Sequence, residues 1–118
     1  MTLKFVALFP NHLDLNGDQA NLKVLAKRLA WQGVAAEIIG VSKGQSIPND
    51  AALIFLGHGS IAAWADIENE LLQLLPGIKR HISNGVAFMA VATGHERAID
   101  WGIFSGRTTE KNRVSKFE

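Results

Sequence analysis

The sequence predicts an α/β fold in three layers, with a parallel sheet covered by helices on both faces. Three observations carry that expectation. Short, nearly all-apolar runs such as LKFVALF and AALIFLG recur along the chain, and runs of this kind suit strands buried on both sides. Between them the apolar residues change to helical spacing. Clusters rich in glycine, proline and asparagine mark the points where the period changes.

Taken in order, Leu3 to Phe9 reads as the first strand, and Pro10 ends it. After the loop PNHLDLNG, Asp18 is placed to cap a helix in which Leu22, Leu25, Ala26 and Leu29 follow i, i+3, i+4, i+7 spacing, and Gly33 stops it. Val34 to Ile39 is the second strand, and GVSKGQSIPND is the loop at its far end. Ala51 to Gly57 is the third strand, followed by HGS. A helical stretch then runs through DIENELLQLL with Leu71, Leu74 and Leu75 facing inward. Pro76 and Gly77 break or restart it, and IKRHIS carries it on to Asn84 and Gly85. VAFMAV is the fourth strand, and the tail WGIFSGRTTEKNRVSKF reads as a hairpin or a pair of edge strands. Right-handed crossovers give the four core strands the order 2-1-3-4, a flavodoxin-like or Rossmann-like topology. No repeat or linker divides the chain, so residues 1–118 read as a single domain.

Composition excludes several classes of function. Twelve Lys and Arg against eleven Asp and Glu leave a net charge of +1, too small a field to hold nucleic acid or an anionic membrane. The chain has no cysteine, which removes disulfides, thiolate metal sites and thiol catalysis. No apolar run approaches the roughly 20 residues of a membrane span, and MTLKFVALFPNH lacks the pattern of a secretion signal. A cytoplasmic protein is expected.

In a sheet of this kind ligands bind beyond the carboxyl ends of the strands. Those ends are PNHLDLNGDQ, GHGS and ATGHE, and they carry His12, His58 and His95. A metal centre would need three or four converging ligands, with Asp14 or Glu96 joining these imidazoles. No ligand pair stands at short turn or helical spacing, so neither a metal nor a cofactor is expected. His81 reads as a helix-surface histidine, and Trp31, Trp64 and Trp101 as core or interface anchors. The glycines of GHGS let backbone N–H groups converge on an anion.

The segment LFPNHLDLNGDQANLKVLAKRLAWQGV resembles, without a gap, the opening of cobyric acid synthase-type class I glutamine amidotransferase domains. Phe9, Pro10, Gly17, Asp18, Asn21, Leu25, Arg28, Trp31 and Gly33 fall on that pattern. IFLGHGS is similar to the family's strand and GGG turn, AVATGHE to its AxCGGxQ nucleophile elbow, and WGIFSGRTTEKNRV to its later GLLxxxT segment. The resemblance therefore extends over nearly the whole chain. It implies an amidotransferase-like domain shortened at its C-terminus.

Departures from the pattern set the functional expectation. Ala92 stands where the resemblance places the attacking cysteine, and the family's histidine partner falls past Glu118. Nucleophilic catalysis needs both groups. His58 replaces the middle glycine of the turn, Thr93 the first glycine after the nucleophile, and His95 follows Gly94. The expectation is a catalytically inactive domain that binds a partner or a small anionic ligand. Its degenerate site would be Gly57, His58, Gly59, Ala92, Thr93, Gly94, His95 and Glu96. An enzyme of another class would instead use His58 or His95 as general base with Glu96 as its partner. A purely structural homo-oligomer is the third reading. Apolar surface left by the shortened C-terminus points to a homodimer through Trp101 to Phe117.

Overall fold

A computed structural model of the chain describes residues 2–14 and 19–103. Strand β1 (Thr2–Leu8) leads through helix α1 (Ala20–Trp31) to β2 (Ala35–Val41). Strand β3 (Ala51–Leu56) leads through α2 (Ile61–Ser83) to β4 (Ala87–Ala90), and α3 (Thr93–Asp100) follows. The strands form one sheet in the order β2-β1-β3-β4, and every pairing is parallel. This is the flavodoxin-like arrangement that the sequence predicts.

Strand alternation divides the core between two faces. Val6, Leu8, Ile54, Leu56, Phe88 and Ala90 meet Trp64, Ile67, Leu71 and Ile78 of α2 and Ala98 of α3. On the other face, Phe5, Ala7, Leu53 and Phe55 cluster with Leu22 of α1. β2 departs from the expectation of a strand covered on both sides. It pairs with β1 alone at the sheet edge, and of its residues only Val41 is buried.

Three further expectations are corrected. Leu25 does not join the inward stripe of α1, which is made by Leu22, Ala26 and Leu29. It lies roughly 60° round the helix from Leu22, on the border of that stripe. Pro76 does not break α2, which runs unbroken from Ser60, whose hydroxyl caps it by accepting from Ala63 N at 3.1 Å. Continuity keeps the helical phase through the proline, so His81 falls on the same stripe as Leu71 and Ile78. It is buried rather than on the surface.

The tryptophans divide. Trp64 is buried, and Trp101 packs edge-on against it with ring centroids 6.3 Å apart. Trp31 is 75% exposed on the outer side of α1 and is no part of the core. Among the described residues, no helix is long and apolar enough to cross a membrane. The hairpin or edge strands read from Trp101 do not begin there, since residues 101–103 form a turn that closes α3, with Ile103 N donating to Ala98 O at 2.8 Å. The expected capping residue Asp18 and the tail from Phe104 lie outside the described residues.

Candidate functional site

The carboxyl ends of β1, β3 and β4 meet at a tightly fitted corner. β3 ends at Leu56 and gives way to Gly57, His58, Gly59 and the α2 cap Ser60. β4 turns into α3 within two residues, Val91 and Ala92. Ala92 is the N-cap of α3 and holds φ 49°, ψ −122°. A residue with a Cβ is strained in that conformation and persists there only when its surroundings enforce it.

The neighbouring glycines explain the enforcement. A Cβ on Gly94 would collide with the carbonyl oxygens of Leu56 and Gly57. On Gly57 it would strike the carbonyl oxygen of Leu13, and on Gly59 it would come within 2.7 Å of the Leu13 side chain. The Gly57–Ser60 turn is thus wedged between the loop after β1 and the first turn of α3. Small residues are required at these positions by backbone approach, whether or not chemistry follows.

Thr93 ties the two turns together. Its hydroxyl oxygen accepts from Gly59 N at 3.1 Å and from the Trp64 indole Nε1 at 2.9 Å. Those two donors use both of its lone pairs. Its single proton is then directed to His58 Nδ1 at 2.8 Å or to the Gly59 carbonyl at 3.2 Å. His58 Nδ1 also accepts from Thr93 N at 3.3 Å. This donor count assigns Nδ1 as the unprotonated nitrogen and puts the ring proton on Nε2.

The same bonds occupy two of the donors that were expected to face an anion. Thr93 N–H points at an imidazole nitrogen, and Gly59 N–H at the Thr93 hydroxyl. The remaining amides of the elbow turn back on the chain, Gly94 N to Val91 O at 2.8 Å and His95 N to Ala92 O at 3.0 Å.

The other sequence-predicted groups disperse. His95 is buried, whereas Glu96, the next residue on α3, is exposed; consecutive helical residues diverge by about 100°. His12 bonds through Nε2 to Asp66 of α2 at 2.8 Å, and Asp14 accepts from Gln19 N at 2.9 Å. Among the described residues, no three His, Asp or Glu side chains gather as a metal ion would require. Trp64 is the site residue that sequence reasoning read as a core or interface anchor without a role at this corner. Its indole reaches Thr93 from 29 positions away, and no local pattern announces such a contact.

Resolved pKa displacements lie at the opposite end of the sheet. The hydrogen bond from Lys4 lowers the Asp50 carboxyl, and the same bond raises the Lys4 ammonium. Lys4 Nζ stands 2.8 Å from Asp50 Oδ2 near the start of β3.

No family model and no curated protein matches this sequence. The fold is shared with PurLQS from Thermotoga maritima. That likeness has a TM-score of 0.63 at 13% identity and covers 91% of this chain and 48% of the other. The chain thus spans about half the length of the solved chain it matches. At that identity the likeness establishes common architecture and leaves activity to the residues themselves.

Proposed function

We propose that the chain is a glutamine amidotransferase-like domain that has lost glutamine hydrolysis and works as a binding or partner-interaction module. One observation carries this reading. The strained strand-to-helix turn on which a nucleophile would be mounted is kept, with Ala92 at φ 49°, yet its side chain has no reactive atom. The sequence resemblance, which aligns Ala92 with the family's cysteine, supports the same reading.

The lone-pair count on Thr93 argues against a replacement nucleophile. Its hydroxyl already receives two N–H donors, so attack on a carbonyl would first require breaking one of those bonds. A general-base enzyme built on His95 and Glu96 is disfavoured by their divergence, one buried and one exposed. A small anion at the elbow would have to displace His58 before reaching Thr93 N–H.

The proposed partner is a second copy of the chain. Trp101 and Ile103 already pack against the protein's own core, so changing them would also disturb the fold. The mass of the unaltered protein by light scattering at micromolar concentration is the cleaner measurement. A dimer mass is expected, and a monomer would remove this part of the proposal.

The loss of hydrolysis is tested by ammonia release from glutamine, expected to equal a protein-free blank. Turnover abolished by His95→Ala would overturn the proposal in favour of a histidine-based enzyme. In Ala92→Cys, the thiol at the helix N-terminus should alkylate faster than free cysteine while still failing to turn over glutamine.

A further inference from the structure

A concavity opens at the carboxyl edge of the sheet and uses no residue of the corner formed by residues 57–60 and 92–96. It encloses about 430 Å³, within the range of small-molecule sites. The loop after β2 forms one wall and α2 the other. Phe9 and Leu74 supply apolar surface, and Lys43, Gln45, Glu70 and Gln73 supply polar groups.

Both walls are locally fixed. Gln45 N donates to Ser42 O at 3.0 Å, and Ser42 N donates to the Gln45 side-chain oxygen at 2.7 Å, closing a turn that presents Lys43. Gly44 takes φ +81° in that turn, a value suited to glycine. Glu70, Gln73 and Leu74 stand at i, i+3 and i+4 of α2 and so share one helix face. Phe9, itself at φ 45°, is one of two non-glycine residues with positive φ among the described residues. Strain of this kind concentrates at ligand clamps and active sites.

The charges facing the cavity are opposite and loosely paired. Lys43 Nζ lies 3.9 Å from Glu70 Oε2, well beyond the roughly 2.7–2.9 Å of a charge-assisted hydrogen bond. The Glu70 side chain is half-buried against the wall of the cavity, whereas the Lys43 side chain is 83% exposed and free to turn toward a ligand. A ligand with an ammonium and a carboxylate on the same carbon could bridge this gap, ammonium to Glu70 and carboxylate to Lys43. The amides of Gln45 and Gln73 and the surfaces of Phe9 and Leu74 would receive the remainder.

We infer that this cavity binds a small zwitterion of the α-amino acid class. The site is independent of the elbow and goes beyond the function proposed above. The test is an amide NMR titration of the full chain with each standard amino acid at about 10 mM, above the millimolar range of a weak site. At least one should shift the amides of 43–46 and 73–74. Its N-acetyl and carboxamide derivatives should each bind roughly tenfold more weakly, as loss of a charge-assisted bond requires. Lys43→Ala and Glu70→Gln should weaken the parent amino acid to a similar degree. No perturbation by any amino acid would overturn the inference. So would shifts confined to residues 57–60 and 92–96, or equal affinity for the blocked derivatives.

Discussion

Among the described residues, two that are not glycine hold a positive φ, Phe9 at 45° and Ala92 at 49°, each just past the end of a parallel strand. They are enforced by different means. Phe9 is held by burial of its ring and by backbone bonds, its N–H donating to Val41 O at 2.8 Å and its carbonyl accepting from Leu13 N at 2.9 Å. Ala92 has almost no side chain to anchor it and is held by its neighbours, through the close approach of Gly94 and the bonds of Thr93. The difference separates strain maintained by packing from strain maintained by a polar knot. Packing leaves a cavity open beside Phe9, whereas the knot at Ala92 occupies the Thr93 and Gly59 amides that would otherwise face a ligand.

Replacing each residue by glycine should move stability in opposite directions. Phe9→Gly relieves the backbone but removes a buried ring, and the packing loss of about 3–5 kcal/mol outweighs a strain of roughly 1–3 kcal/mol. A clear fall in the urea midpoint is expected. An unchanged or raised midpoint would place the enforcement in the backbone instead.

Of similar size is Thr93→Val, which keeps the shape but leaves Gly59 N–H and the Trp64 indole without their acceptor. Each stranded donor costs about 1–3 kcal/mol, so a loss of roughly 2–6 kcal/mol is expected by urea unfolding. Near-neutral behaviour would mean that the knot is not what holds the elbow. Ala92→Gly should do the reverse and stabilise the fold by about 1 kcal/mol, since only a methyl group is given up for relief of strain. Destabilisation in the same assay would show that Ala92 is packed rather than strained.

The smallest effect belongs to the far end of the sheet, where neither kind of strain is present. Asp50 is lowered from 3.8, so its contribution is complete above that value and disappears as pH falls through the lower folded value. Lys4 is raised from 10.5, so its share is complete below that pH and is lost as pH rises through the higher folded value. Both groups face water, and screening reduces the pair to a minor stabiliser. Asp50→Asn should leave the midpoint at neutral pH nearly unchanged and flatten its acid dependence slightly. A large loss at neutral pH would assign that end of the sheet a structural weight comparable to the elbow.

The sheet was legible in the sequence because its order follows from apolar runs and crossover handedness. Helix α2 was less so. A proline normally removes a hydrogen bond and ends a helix, but packing of Leu71, Leu74 and Ile78 against the sheet carries α2 through Pro76. Reading a break there lost the phase that buries His81. At the candidate site, the small residues of GHGS and ATGHE marked both turns, and the resemblance aligned Ala92 with a nucleophile. The knot itself could not be read, because Thr93 meets His58 and Trp64 across 35 and 29 positions. A hydroxyl's partners at such separations depend on the fold being formed first.

The position of β1 between β2 and β3 has a consequence for synthesis on the ribosome. β1 is made before both of its neighbours, and the partner that encloses its second edge, β3, ends only at Leu56. At about 5–20 residues per second, the run from Leu3 to Leu8 would wait several seconds with an edge unpaired. Nascent chains arrested before β3 emerges should therefore bind hydrophobic-segment chaperones. Chains arrested after β4 has cleared the exit tunnel should release them.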